Sequence, residues 1–118
     1  MQNPEVLRNK KDFSLLYKRG NSVGDRYVVL IFKENKRPYT RKAFLASKKV
    51  GKSVERNRAR RLMKESVRTL DASLKEGYDI IFIARNTIGN SKCADVKKSI
   101  EAALKKARLL EQDTGPKR

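Results

Sequence analysis

The run Tyr78–Ala84 (YDIIFIA) constrains this chain more than any other segment. It is apolar at both alternating sets of positions and rich in β-branched and aromatic residues, which predicts a strand buried on both faces in the middle of a sheet. Gly77 before it and the segment RNTIGNS from Arg85 mark turns. A second strand is predicted over Arg26–Lys33 (RYVVLIFK). Its period of two sends Tyr27, Val29 and Ile31 to one face and Val28, Leu30 and Phe32 to the other. A third is predicted over Lys42–Ser47 (KAFLAS). The polar loop Glu34–Thr40, with Pro38, suits a hairpin connection between these two, and Asn21–Asp25 reads as a turn.

Three stretches have helical spacing instead. Lys11–Arg19 places Phe13, Leu16 and Tyr17 on one face, with Asn9 placed to cap it and Gly20 to stop it. In Val54–Leu70, Ala59, Leu62, Met63, Val67 and Leu70 form an apolar stripe. Opposite them lie Asn57, Arg60, Arg61, Lys64 and Arg68, with Arg56 at the boundary. Ser53 is placed to cap this helix, and Glu55 suits the positive end of its dipole. The last helix, about Lys92–Leu110, carries Cys93, Val96, Ile100, Ala103, Leu104 and Ala107 at helical spacing, which predicts a buried Cys93; the tail EQDTGPKR is expected to fray. Together these elements predict one α+β domain spanning 1–118 with a small mixed sheet. The strand–helix–strand passage through Val54–Leu70 makes parallel pairing, with a right-handed crossover, the general expectation.

Composition narrows the chemistry. The 118 residues include 30 Lys and Arg against 13 Asp and Glu, a net charge of +17, and no histidine. Histidine-based acid–base catalysis, a His–Cys zinc site and a Ser–His–Asp triad are therefore excluded. The single cysteine cannot form an intrachain disulfide. No apolar run approaches the length needed to span a bilayer, and the N-terminus has no signal-peptide pattern, so the expected location is cytoplasmic with no membrane partner. The charge is uneven: residues 1–68 hold 20 basic and 6 acidic side chains, and Lys48–Arg68 alone holds nine basic against two acidic. Like charges at i, i+4, such as Arg56–Arg60 and Arg60–Lys64, repel by about 0.2–0.5 kcal/mol each on an exposed helix, so such a face usually meets a counter-charge. Polyphosphate is the expected one, because the guanidinium fork suits phosphate oxygens.

Phe13 and Tyr17, flanked by Lys10, Lys11, Lys18 and Arg19, are candidate stacking surfaces for unpaired nucleotides, against the plainer role of core packing. Asn57 can orient a ribose, a base edge or a water, or simply be a surface amide. KKVGKS lacks the GxxxxGK[ST] spacing of a nucleotide-triphosphate loop. Asp71, Glu76 and Asp79 are the nearest approach to an acidic cluster, and their placement looks structural. These residues describe an RNA- or DNA-binding module without its own catalytic apparatus.

KKVGKSVERNRARRLMKE (Lys48–Glu65) resembles the basic motif of the bacterial ribonuclease P protein component. LRNKKDFSLLYKRGNSVGDRYVVLIF (Leu7–Phe32) and YDIIFIAR (Tyr78–Arg85) match the same family in order, so the resemblance covers about residues 7–110. It implies the order helix, three strands, helix, strand, helix, with a mostly antiparallel sheet similar to the second domain of ribosomal protein S5 and a left-handed crossover in place of the right-handed one. It further implies a non-catalytic subunit that helps a catalytic RNA remove the 5′ leader of precursor tRNA. On that resemblance the protein binds no cofactor alone, the holoenzyme requires Mg2+, and the partners are the catalytic RNA and the leader, with no obligate protein partner. The implied RNA-binding residues are Lys48, Lys49, Lys52, Arg56, Asn57, Arg58, Arg60, Arg61, Lys64 and Arg68; the implied leader cleft is Phe13, Tyr17 and Ile31. No catalytic or metal-ligating residue is implied. Ile31 stands where the family is often aromatic, and Lys52 where it often has Asn. A ribosomal or general RNA-binding protein would explain charge, size and fold equally well, but not the Phe13/Tyr17 face combined with the RN…R helix. A DNA-binding helix module ranks behind both, for want of a preceding helix-turn.

Overall fold

A computed structural model describes residues 6–111. In chain order they form helix α1 (Lys10–Arg19), strands β1 (Asn21–Gly24), β2 (Val28–Glu34) and β3 (Arg41–Leu45), helix α2 (Ser53–Arg68), strand β4 (Tyr78–Ala84) and helix α3 (Cys93–Ala107). The sheet runs β1-β2-β4-β3. β1–β2 and β2–β4 are antiparallel and β3–β4 is parallel, so the α+β class, the element order and the mostly antiparallel mixed sheet agree with expectation.

Two connections differ from the sequence reading. Asn21–Gly24 is an edge strand rather than a turn: its Gly, Asn and Ser have little β propensity, but pairing with β2 needs only backbone. Glu34–Thr40 is not a hairpin loop, because β4 inserts between β2 and β3. A strand apolar on both faces loses most by standing at an edge, and it takes the interior place. The loop is instead tied to the entry of β4, through Asn35 N–H to the Gly77 carbonyl (2.8 Å) and Thr40 Oγ1 to the Lys75 carbonyl (2.6 Å).

The two faces of the sheet carry different cover. Val28, Leu30 and Phe32 of β2 and Ile80, Phe82 and Ala84 of β4 face α2 and α3. There they meet Ala59, Met63 and Val67 of α2 and Val96, Ile100, Ala103 and Leu104 of α3, with Phe44 stacked on Phe82 at 5.0 Å. The predicted stripe is thus the packing stripe as far as Val67, with Leu62 at its half-buried margin and Ser66 buried within it, its hydroxyl donating to the Leu62 carbonyl at 2.7 Å. α2 ends at Arg68, short of the expected Leu70, which packs half-buried from the turn beyond the helix. On the other face, Ala43 and Ile81 pack under Leu7 and Leu16, with Phe13, Ile31, Leu45 and Ile83 partly buried around them.

Asn9 caps α1 as expected, its side chain accepting from Lys11 N–H at 2.8 Å. Gly20 ends it in extended backbone (φ −74°), so left-handed freedom is not why glycine is there. A Cβ would lie 2.6 Å from the Leu16 carbonyl oxygen and 3.1 Å from Ile31 Cγ2, so glycine lets the chain pass close over β2. At α2 the cap is Lys52 rather than Ser53: Lys52 N–H donates to Glu55 Oε1 at 2.8 Å, and Ser53 is the first helical residue. α3 stops at Ala107, short of Leu110, because Arg108 turns left-handed (φ 60°) and folds Leu109 back into the core. Cys93 is exposed, contrary to expectation. It has the spacing of the buried stripe but is the helix's first residue, at the rim, with Ser66 Oγ 4.0 Å away. The tail from residue 112 lies outside the described residues.

Candidate nucleic-acid interface

Helix α1 crosses the sheet obliquely, Asp12 meeting Arg41 of β3 at one end and Gly20 meeting Ile31 of β2 at the other. Strand register sorts the residues beneath it into rows. Lys33, Asp79 and Arg41 pair across one row, Ile31, Ile81 and Ala43 across the next, and Val29, Ile83 and Leu45 across a third. The second row carries the small cluster with Leu16. The third row remains half-buried, an apolar strip of floor.

Of the cleft residues predicted from sequence, Phe13 and Ile31 belong to this one cluster, both partly buried. Tyr17 is 55% exposed one turn beyond Phe13, so its ring stands at the rim rather than in the floor. Val29, Leu45 and Ile83 were not singled out from sequence; their signal was strand alternation combined with pairing across β2, β4 and β3, and the pairing is what sequence periodicity lacks.

The charged row is the best-built polar feature of this face. Asp79, 7% exposed, takes Arg41 in a fork: Nε to Oδ1 at 2.8 Å and Nη2 to Oδ2 at 2.6 Å. Asn35 Nδ2 also donates to Oδ1 at 2.9 Å, and Arg41 Nη1 reaches Asp12 Oδ2 at 3.2 Å. Hydrogen bonding to Asp79 holds the Arg41 guanidinium above its ordinary value, aided by the charges of both carboxylates and opposed by burial. Removing one partner from so buried a pair typically costs about 3–5 kcal/mol, because the other charge is left uncompensated.

The basic motif divides by what each side chain already holds. Arg58 is committed inward: Nη1 donates to the Gly89 carbonyl at 2.7 Å and Nη2 to the Ser91 carbonyl at 2.6 Å, pinning the turn before α3. Arg60 donates to Asn57 Oδ1, so this amide orients a guanidinium. Arg68 pairs with Glu65 (2.5 Å), whose carboxyl it holds below the ordinary value. Arg56 donates to Ser53 Oγ at 3.3 Å while its Nε is buried without a partner. Among the described residues, Lys48, Lys49, Lys52, Arg61 and Lys64 are exposed and form no ion pair. They present charge at the α2 N-terminus and along its outer side.

A groove of about 500 Å3 joins the two regions along the outer edge of β3, where Leu7 N–H donates to the Lys42 carbonyl at 2.9 Å. Phe13, Ala43, Phe44, Leu45 and Val67 supply apolar wall; of the cations lining it, Lys42 is paired with Asp71 at 2.8 Å and Arg68 with Glu65, beside Arg8 and Lys64. A second hollow, of about 510 Å3, lies on the other side of Lys64 and Arg68 and is lined by Arg58, Arg61 and Cys93. Among the described residues, no group of three or more His, Cys, Asp or Glu side chains comes together as a metal site.

A small α+β domain with cations lacking ion-pair partners along one helix, among the described residues, and a partly open apolar strip on its sheet has the character of a nucleic-acid-binding module. The family model for Ribonuclease P matches residues 1–108, and the chain belongs to that family. It is 40% identical over 106 residues to the ribonuclease P protein component of Caldanaerobacter subterraneus subsp. tengcongensis, covering 90% of this chain and 91% of that one. Its fold is similar to a solved Staphylococcus aureus RNase P protein (TM-score 0.84, 29% identity, 92% of this chain and all of that one). It is also similar to a mutant of the Staphylococcus aureus protein with defective mRNA degradation activity (TM-score 0.83, 30% identity, 90% of each chain). The protein is a non-catalytic subunit of ribonuclease P, assisting RNA-based catalysis in removal of the 5′ leader from precursor tRNA. That membership decides against the general RNA-binding and DNA-binding alternatives.

Proposed function

We propose that the unpaired 5′ leader lies over the half-open face between α1 and the sheet. Phe13 and Tyr17 offer ring surface there, and Ile31 an aliphatic contact. Lys48, Lys49, Lys52, Arg61 and Lys64, with Arg56, Asn57, Arg60 and Arg68, face the catalytic RNA and the substrate near the cleavage site. The observation that carries this reading is the groove that joins Phe13 to Lys64 and Arg68. A single strand is held by stackable surface and backbone cations along one track, and the groove offers both. Arg58 supports the site by pinning the turn before α3 rather than by meeting phosphate. In this reading Mg2+ belongs to the holoenzyme's RNA, and the chain works in the cytoplasm as one domain without an obligate protein partner. The likeness to the second domain of ribosomal protein S5 and the left-handed β3–α2–β4 crossover are part of the same proposal.

The decisive experiment is cleavage of precursor tRNA by the cognate catalytic RNA at low magnesium, with and without the protein, using long-leader and minimal-leader substrates. The protein is expected to raise cleavage at low magnesium and to favour the long leader; equal effects on both substrates would remove the leader from the cleft. The purified, RNA-free protein is expected to leave precursor tRNA uncut. An mRNA belongs in the same assay, since degradation of mRNA is attached to the Staphylococcus aureus protein.

A further inference from the structure

Helix α1 has little to hold it. Ten residues make a helix too short to persist alone in water, so its position depends on tertiary ties. The cluster beneath it contains four buried residues among those described, Leu7, Leu16, Ala43 and Ile81. Its other tie to the sheet is polar: Asp12 Oδ2 accepts Arg41 Nη1 at 3.2 Å, and Arg41 is itself fixed by two bonds to the buried Asp79. Asp79 is braced in turn by Asn35, whose Nδ2 bridges to the Tyr39 carbonyl at 3.2 Å.

The arrangement has a direction. Asp79 belongs to the interior strand β4, and its fork leaves Arg41 one free nitrogen, aimed at α1. Asp12 immediately precedes Phe13, whose ring enters both the apolar cluster and the groove along β3. Fixing Asp12 therefore fixes where the Phe13 ring stands. Tyr17, at the helical i+4 position from Phe13, moves with it.

We propose that Asp79, Arg41 and Asp12 form a latch that seats α1 over the sheet, making Arg41 and Asp12 positioning residues for the leader. This inference rests on the leader lying in that cleft. A rigid fork suits such a latch, because a guanidinium holding one carboxylate in two bonds keeps its third nitrogen in a set direction, whereas a lysine ammonium is a mobile point charge. The latch touches neither the main core nor the exposed cations of α2, so releasing it changes the seat of the rings and leaves the basic surface as it is.

The test uses holoenzyme reconstituted with Asp12→Asn, Asp12→Glu or Arg41→Lys protein, measuring affinity for precursor tRNA with a leader and for mature tRNA. Phe13→Ala and Tyr17→Ala serve as reference variants, and hydrogen exchange over residues 10–19 is followed in each protein. Asp12→Asn and Arg41→Lys are expected to weaken binding of the leader-bearing RNA three- to tenfold while mature tRNA binding and kcat at saturation hold. Exchange should quicken within α1, and Asp12→Glu, which keeps the charge, should recover most of the affinity. If the ring variants lose leader affinity but Asp12→Asn does not, the latch is overturned. Equal losses on both RNAs from the latch variants overturn it as well, since they mark a general structural defect. If the ring variants show no leader effect, the cleft reading has failed independently; α1 exchange then decides, faster exchange in Asp12→Asn upholding the seat and unchanged exchange overturning it.

Discussion

On one side of the sheet, two helices of 16 and 15 residues close over a continuous core with sixteen buried residues among those described. On the other, a ten-residue helix covers four, and a row of aliphatic side chains stays half open beside it. The thick side has apolar area to spare for stability. The thin side gives up burial and gains a surface against which another molecule can lie. Charge follows the same division of labour: among the described residues Lys48, Lys49, Lys52, Arg61 and Lys64 form no ion pair, although Arg68 holds Glu65, whereas the carboxylates Asp12 and Asp79 are gathered under α1, where they hold the helix in place.

The sharpest way to break this comparison is to damage each side and see which property moves. Met63 has no exposed surface in the thick core, and Met63→Ala is expected to cost about 2–5 kcal/mol of unfolding free energy in urea titration. The preference for leader-bearing RNA should survive in whatever protein remains folded; a lost preference would mean the sides are not separable. Tyr17→Ala, on the thin side, is expected to leave the urea midpoint unmoved and to cost about 1–3 kcal/mol in leader binding. Phe13→Ala should show both effects, because its ring is partly in the cluster and partly in the groove.

Within the basic helix the contrast lies between two arginines three residues apart. Arg58→Ala is expected to lower stability by about 1–2 kcal/mol, since two carbonyls lose a charged donor, without altering the salt dependence of RNA binding. Arg61→Ala should do the reverse, leaving stability intact and lowering the slope of log K against log salt by roughly 0.7–0.9 if one phosphate contact is lost. Exchange of these outcomes would show that the wrong side chains had been assigned to RNA.

The smallest expected effect concerns acid. Burial raises the Asp25 carboxyl, but bonds from Ser99, the Arg26 backbone and Lys106 outweigh it and hold it below the ordinary value near 3.8. A depressed carboxyl contributes stability above that value and loses it as pH falls through the folded one. Asp25→Asn should therefore be less stable than the wild type at neutral pH and show a shallower decline below about pH 3.8. Parallel declines would remove Asp25 from the acid response.

Local pattern made much of this legible. Helical spacing located the packing stripe of α2, strand alternation sorted both faces of β2, and the double-sided apolarity of Tyr78–Ala84 placed it inside the sheet. What local pattern lacks is partnership. Asn21–Gly24 looks like a turn until β2 is beside it, and the β2–β3 loop looks like a hairpin until β4 is known to lie between. Cys93 has the right spacing for burial but the wrong position along the helix. The same limit applies to the site: periodicity identifies the cationic face of α2, but not that Arg58 points inward or that Arg68 is already paired. Nor does it identify Arg41 and Asp79 as partners 38 residues apart.

Strand order has a consequence for how the molecule is made. β2 and β3 acquire the neighbour that joins them only when residues 78–84 have been synthesised. By then 21 of the 30 cationic side chains have already been made, 20 of them within the first 68 residues. Long-range pairing of this kind is slow, and strands awaiting a partner expose edges that invite association. For that interval the nascent chain is a polycation with unsatisfied strands, held apart from its own kind by mutual repulsion and drawn to any polyanion nearby. The last interior strand therefore does more than complete a sheet: its arrival converts a sticky, charged thread into a surface that can choose its RNA.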